Sequence, residues 1–483
     1  MITEPETASD APSPTVELCK WVESLTWDDV PEEIRTRAKY LILDGITCAI
    51  VASHLPWSET AVKAVSSIEG EGPCHVIGWK DLKVGPLQSA LLNSTFIQGF
   101  ELDDYHSFAP LHSNSIMVPA ILALVSYGKH KGISYSGKDF LLAHVVGFEV
   151  GPRVGLALHG GEILNRGWHS GPVFGHAASA AASSKFLGLN SEQIEDAFGI
   201  ACTQTCGLMS AQFESSVKRM QHGFASRNGL FAALMAEQSY KGIKRVFERE
   251  YGGFLNVFSL GAEPPVVEEL TKDLSEKWIT PEINIKPYAC MAGIHSTIDA
   301  LYELFDKKPL QNAMDVVKQV TIEISEPLFK HGGWKATKPL TVIGAQMNNA
   351  YICAVILLDG VLTVKNFSEK LMNRPEIWEL MEKIDVVHNK EFDTLPRTDR
   401  MIAAVKIEFT DGTIKTNTVV RPSGVKAPLS GDEIVDKFRT HTKGLISDEA
   451  QANILKTVLE IESSKDVSEL VDALNIDILD PLK

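Results

Sequence analysis

No G-x-G-x-x-G, P-loop, H-E-x-x-H, C-x-x-C or G-x-S-x-G segment occurs in the 483 residues. Those absences lower the standing of a nucleotide cofactor, a zincin-type metal site and a serine-hydrolase elbow, and favour cofactor-free chemistry. No run of five or six lysines or arginines occurs, and the formal charge is −16. Neither nucleic acid nor an anionic membrane surface is therefore expected as a partner. No stretch approaches eighteen uncharged apolar residues, so no membrane span is expected. The N-terminus, MITEPETASDAPSPTVELC, is acidic and without arginine, unlike a secretory signal or a transit peptide; a cytoplasmic protein is the default expectation. Seven cysteines (19, 48, 74, 202, 206, 290 and 353) are scattered and odd in number. They read as reduced, buried thiols without a disulfide framework. Cys202 and Cys206, four apart, lack a second ligand pair with zinc spacing and read as small core residues.

What is present divides into two textures. Up to about residue 270 the pattern is helical: Ile34, Ala38, Leu41, Ile42 and Gly45 follow one helix face, with Pro31 near the start. GPVFGHAASAAASSKFLG (171–188) is dense in Ala, Gly and Ser, the composition of a central helix that neighbours approach closely. Around 281 the texture changes. Val320, Ile322 and Ile324 alternate with polar residues, as do Val405, Ile407 and Phe409, and Asp411-Gly412 follows as a hairpin turn. After Pro422 helices resume, with Ser447 as an N-cap and Ala450, Ile454, Val458 and Ile461 on one face. The expected fold is mainly α with an inserted α+β domain: residues 1–281 and 421–483 form a helical domain, and 282–420 the insertion.

Five polar neighbourhoods stand out in apolar or small-residue surroundings: ELDDYHSFAPLHS (101–113), GWHSG (167–171), SVKRMQHG (216–223), NIKPYACMAGIH (284–295) and FKHGGWK (329–335). Each places a histidine or lysine beside glycine, proline or an aromatic, as pocket walls do. Asp103, Asp104, His106 and His112 fit a helix cap or turn, a divalent metal site, or an acid–base floor. Lys218 and Lys286 fit solvated surface as well as anion clamps. Composition and spacing stop at a cofactor-free enzyme for an anionic small molecule.

At AKYLILDGI (38–46), ELDDYHS-x-APLHS, the GWH of 167–169, GIACTQTCGLMSAQ (199–212), VKRMQHGFASRNG (217–229) and YGGFL (251–255), the chain resembles the MmgE/PrpD family, in collinear order over nearly its whole length. That family includes dehydratases of 2-methylcitrate and decarboxylases of cis-aconitate, and the fungal decarboxylase branch is the nearest in motif. The resemblance implies a homodimer of two-domain subunits, a helical domain plus a lid domain, working without metal or organic cofactor on a small tricarboxylate. Carried over by position, the catalytic set is His112, His169, Lys218, Lys286, Asp103 and Asp104. The substrate-binding set is Glu101, Tyr105, His331, Gln221 and His222. The chain departs from mammalian members at Glu101, Tyr105, Glu214-Ser215-Ser216 and Phe329, with His331 beside the last as its candidate substitute. The implied reaction is decarboxylation of cis-aconitate to itaconate, with His112 as leading proton donor, His169 as its partner or a carboxylate ligand, and the two lysines as charge clamps. Three rivals stand beside it: a 2-alkyl-aconitate decarboxylase, a citrate or 2-methylcitrate dehydratase, and an inactive binding scaffold.

Overall fold

The structure is a computed structural model that describes residues 13–212 and 215–483. The first twelve residues of the N-terminal stretch read for a targeting signal, and Glu214, lie outside them. Eight helices build the part that carries the site: α1 (Glu32–Ala52), α2 (Pro86–Ile97), α3 (Asn114–His130), α4 (Gly137–Ala157), α5 (Ser170–Phe186), α6 (Val217–Glu237), α7 (Gly431–Thr442) and α8 (Asp448–Leu459).

The small-residue helix is central, as its composition predicts. α5 packs against both α4 and α6, and all its residues but Lys185 are buried. A Cβ added at Gly229 of α6 would come within 2.4 Å of Ser179 Cβ and 2.7 Å of the Ala180 amide, so the α5–α6 approach requires a glycine there. α4 is long and apolar enough to cross a membrane, yet 89% of its apolar window is covered by the protein itself.

α1 is the spine that joins the two ends of the chain. Its predicted face is buried. Arg37 donates to the carbonyls of Ile283 at 2.6 Å and Leu429 at 3.2 Å. Asp44 meets Lys437 of α7 at 2.5 Å, so the last part of the chain folds back onto the first. Ser447 caps α8, accepting from the Ala450 amide at 3.1 Å, and Ile454, Val458 and Ile461 are buried on the predicted face.

The strands are few. β1 (Tyr105–His106) pairs antiparallel with β2 (Ile283–Asn284), stitching the acidic motif to the segment before Lys286. A four-stranded sheet holds β3 (Val317–Ile324), β4 (Ile384–His388), β5 (Ala403–Phe409) and β6 (Ile414–Val419) in the order β4–β3–β5–β6. β3 and β4 run parallel; the other pairs are antiparallel, with Ile322 opposite Val405. The alternation holds, since Val320, Ile322, Ile324, Val405 and Ile407 are buried. Asp411-Gly412 closes the β5–β6 hairpin, Gly412 at φ 88° and the Asp411 side chain accepting the Thr413 amide at 2.8 Å.

One cysteine expectation is corrected. Helix Ser191–Cys202 ends at Cys202, which is buried, so Cys206 falls beyond the helix and is exposed. Cys206 is therefore not the core residue expected of it.

Candidate active site

The acidic motif follows α2 directly. Glu101 takes a left-handed backbone, φ 54° and ψ 29°, which reverses the chain after a short turn at Gln98–Phe100. For a residue with a Cβ that conformation costs about 1–2 kcal/mol. Asp104 then closes the loop: its two carboxylate oxygens accept the amides of Ser113 at 2.7 Å and Asn114 at 3.0 Å, which satisfies the N-terminus of α3 and fixes the bulge that carries His112. Opposite, α6 presents Lys218, Gln221 and His222 at i, i+3 and i+4, one face of a helix. Ser170, the first residue of α5, donates to the Pro110 carbonyl and ties His169 to the same loop.

Glu101 is the hub. Lys218 Nζ pairs with its Oε1, Arg219 Nη1 reaches the same oxygen at 2.7 Å, and Lys286 Nζ lies 3.1 Å from Oε2. All four side chains are buried. Burial alone would raise the Glu101 pKa; Lys218, Lys286 and Arg219 overcome it and hold the carboxyl well below its usual range. Asp103 follows the same logic: burial pushes it up, and His112 and Lys286 bring it below its ordinary value. Burial also works against Lys286, but Glu101 and Asp103 raise it on balance. Lys218 has the harder position: burial lowers it, with Arg219 adding to that and Glu101 opposing. Three cations thus face two ionised carboxylates, a local positive excess inside a chain of formal charge −16.

Three histidines line up beside this hub. His112 Nδ1 stands 3.0 Å from Asp103 Oδ2, an ion-pair distance without in-line hydrogen-bond geometry. The His222 ring stands edge-on to both others, 5.1 Å from the His112 centroid and 4.8 Å from that of His169. Among the described residues neither His222 nitrogen has a hydrogen-bond partner. A Cβ at Gly171 would fall 1.8 Å from His222 Nε2, so the ring occupies space that only a glycine leaves open. His169 Nδ1 bonds Gln221 Oε1, while Gln221 Nε2 donates to the Leu208 carbonyl at 3.0 Å. A carbonyl only accepts, which makes the Gln221 atom facing His169 its oxygen and puts the His169 proton on Nδ1. Its Nε2 is left as an acceptor. Burial, then the Lys218 charge, lowers His169 to about 3, so the ring is neutral near pH 7. His112 is the member open to solvent, with 18% of its side chain exposed.

The sequence-derived set therefore separates. Glu101, Asp103, His112, His169, Lys218, Gln221, His222 and Lys286 share one cluster. Asp104 does not join the histidines: its oxygens hold the start of α3, and burial beside Asp103 and Asp44 pushes it well above the carboxylate range. Orientation of a histidine falls to Asp103. Tyr105 is buried on β1 beside the cluster. His331 sits half-buried on the short helix Glu326–Gly332, and among the described residues no hydrogen bond or ion pair joins it to the cluster. The four groups once open as metal ligands go different ways, since His106 accepts the Ala109 amide at 2.9 Å and lies 3.5 Å from Glu282. Arg219 and Gln346 escaped the sequence reading. Arg219 lay inside the quoted SVKRMQHG, where only its fully buried position distinguishes it from a solvated neighbour of Lys218. Gln346, in an apolar stretch, carried no local signal.

Known proteins point the same way. The family model for the MmgE/PrpD N-terminal domain matches residues 16–266, and that for the MmgE/PrpD C-terminal domain matches 288–462. The chain is 47% identical over 468 residues to the cis-aconitate decarboxylase-like protein oryM of Aspergillus oryzae, covering 95% of this chain and 96% of that one. It is 44% identical over 480 residues to a cis-aconitate decarboxylase of Aspergillus terreus, 97% of each chain. The human cis-aconitate decarboxylase is 25% identical over 462 residues, 94% of this chain and 92% of its own. With both domain models matched in order across most of its length, the chain belongs to the MmgE/PrpD family.

Proposed function

We propose that this protein decarboxylates cis-aconitate to itaconate and CO2 without a cofactor. The observation that carries the reading is the convergence of Lys218, Arg219 and Lys286 on Glu101, beside the Asp103–His112 pair. A tricarboxylate needs cations, and its decarboxylation needs a positioned acid. The near full-length likeness to proteins named cis-aconitate decarboxylase supports the same substrate.

The chemistry asks little more of the protein. The bond from the substrate methylene to its carboxylate breaks, and CO2 leaves. The released pair forms the new terminal C=C, and the old π pair takes a proton at the former vinylic carbon. Because the electrons shift along an allylic frame, no pyridoxal or thiamine sink is required. Each ammonium carries three N–H donors. Lys218 and Lys286 spend part of theirs on Glu101 and offer the rest to the retained carboxylates. A carboxylate–ammonium contact at about 4 Å is worth roughly 4 kcal/mol at a surface-like dielectric, before desolvation. His112, exposed enough to exchange protons with solvent and oriented by Asp103, is the proton donor in this reading. A positioned histidine acid contributes about 10²–10⁴-fold. His169, neutral with a free Nε2 lone pair, stays beside His112 only as a hydrogen-bond acceptor; that lone pair makes it a poor ligand for a carboxylate. In the same reading residues 282–420 form a lid that brings Lys286 to the substrate, and the enzyme is a cytoplasmic homodimer.

The test is product identification. Purified protein is incubated in parallel with cis-aconitate, a 2-alkyl-aconitate and 2-methylcitrate, after dialysis against EDTA. Itaconate and stoichiometric CO2 from the first is the expected result. Faster turnover of the alkylated acid moves the substrate to an alkylitaconate precursor, and water elimination without CO2 moves the reaction to a dehydratase. Loss of activity restored by one divalent ion overturns the cofactor-free reading.

A further inference from the structure

Gln346 ends the short helix Val342–Gln346, which Thr341 caps by accepting the Gly344 amide at 3.0 Å. It is wholly buried, far along the chain from the acidic motif, and every polar contact of its side chain goes to a segment that carries the site. Its Oε1 accepts from Arg219 Nη2 at 2.7 Å. Its Nε2 donates to the Phe100 carbonyl at 2.8 Å, one residue before Glu101, and to the Ala289 carbonyl at 3.1 Å, three residues after Lys286. Its own carbonyl accepts the Met291 amide at 3.0 Å. One side chain thereby holds the backbone beside Glu101, the loop that bears Lys286, and the guanidinium that pairs with Glu101.

We infer that Gln346 is a positioning residue that sets the separation of Lys218 and Lys286 by fixing the Glu101 hub between them. The inference rests on the decarboxylase reading for its substrate but not for its geometry. A side-chain amide suits the place because it supplies one acceptor to the cation and two donors to the carbonyls, a combination that carboxylate or thioether lacks. Arg219 in turn has its Nη1 on Glu101 and its Nη2 on Gln346, so it acts behind Glu101, not on substrate.

The test compares wild type with Gln346→Met and Gln346→Glu. Met keeps the length and loses every side-chain hydrogen bond; Glu keeps the acceptor for Arg219 and sets oxygen against the carbonyls of Phe100 and Ala289. A lost charge-assisted bond with displaced lysines should raise KM for cis-aconitate about tenfold or more, with a smaller change in kcat. A folded variant of either kind that keeps the wild-type KM while only its Tm falls overturns the inference. A second readout needs no substrate: modification of lysines by an amine-reactive acylating reagent, mapped by mass spectrometry. Faster labelling confined to Lys218 and Lys286 supports positioning, whereas unchanged or uniformly raised labelling overturns it. If wild type leaves cis-aconitate untouched, the decarboxylase reading fails and the labelling result still decides the role of Gln346.

Discussion

His112 Nδ1 lies 3.0 Å from Asp103 Oδ2, and the other oxygen of that carboxylate lies 3.7 Å from Lys286 Nζ. One buried acid thus serves both the proposed proton donor and one of the proposed clamps. Asp103→Asn removes the charge that orients His112 and leaves the fold in place, because Lys286 keeps Glu101. Its kcat should fall about 10²–10⁴-fold, comparably to His112→Ala. Steady-state kinetics on both variants checks this; an active His112→Ala would move the acid to another group.

Removing the hub should do more harm to the fold than removing a spoke. Lys218→Met or Lys286→Met leaves Glu101 with two cations. Glu101→Gln leaves three buried cations around an uncharged amide, and breaking a buried pair in that sense costs about 3–5 kcal/mol. Urea denaturation should rank Glu101→Gln as the least stable of the three, while both lysine variants lose turnover. A Glu101→Gln protein as stable as wild type would mean that the cations are not held together by that carboxylate.

Isotope labelling reads the order of events. Turnover of cis-aconitate in D2O should give itaconate with one deuterium at the saturated carbon next to the distal carboxylate, as a single stereoisomer, and none at the terminal vinylic carbon. NMR of the product decides it. Deuterium on the vinylic carbon would sink the allylic route.

Gly171→Ala is an unusual helix substitution. Within a helix this change normally gains about 1 kcal/mol. Here the new methyl would lie 1.8 Å from His222 Nε2, and the ring that stands between His112 and His169 would have to move. Activity should drop at least about tenfold, an effect of roughly 1.4 kcal/mol on the barrier. Wild-type kinetics in the variant would free His222 from any part in the site.

Acid stability follows from buried neutral histidines. Burial lowers His144 and His176 to about 4, His169 and His295 to about 3, and His222 well below its usual value. The unfolded chain takes up protons from about pH 6.5, where the folded chain does not, so their contribution is complete above 6.5 and declines as pH falls toward 4. Each such histidine steepens the loss by about 1.4 kcal/mol per pH unit at most. Glu101 and Asp103, both depressed, add to it below their ordinary range. Asp104, Asp44 and Glu149, raised by burial, oppose this trend, since their contribution is present at low pH and lost as pH rises. The readout is therefore a difference: between pH 7 and 5 the urea midpoint of wild type should lose more than that of His144→Phe. Parallel pH profiles for the two proteins would contradict the buried neutral state of His144.

Local pattern carried much of this protein. The buried face of α1, the small-residue helix, the β5–β6 hairpin at Asp411-Gly412 and the Ser447 cap each follow from residues a few positions apart, where periodicity and turn chemistry act within one element. Lys218, Gln221 and His222 lie on one face of α6 in the structure, but it is family resemblance that names them as site residues. Family resemblance, not spacing, singled out His169 and Lys286. Tertiary structure alone decided which groups meet. Asp103 and Asp104 are adjacent in sequence, yet one pairs with His112 and the other anchors α3, because a left-handed turn at Glu101 and the reach of the 105–113 loop separate their partners. Arg219 reads locally as one more surface cation, and Gln346 as nothing at all. Their roles exist only because α6 and the helix ending at Gln346 come together over Glu101, contacts between positions more than a hundred residues apart that no local period encodes.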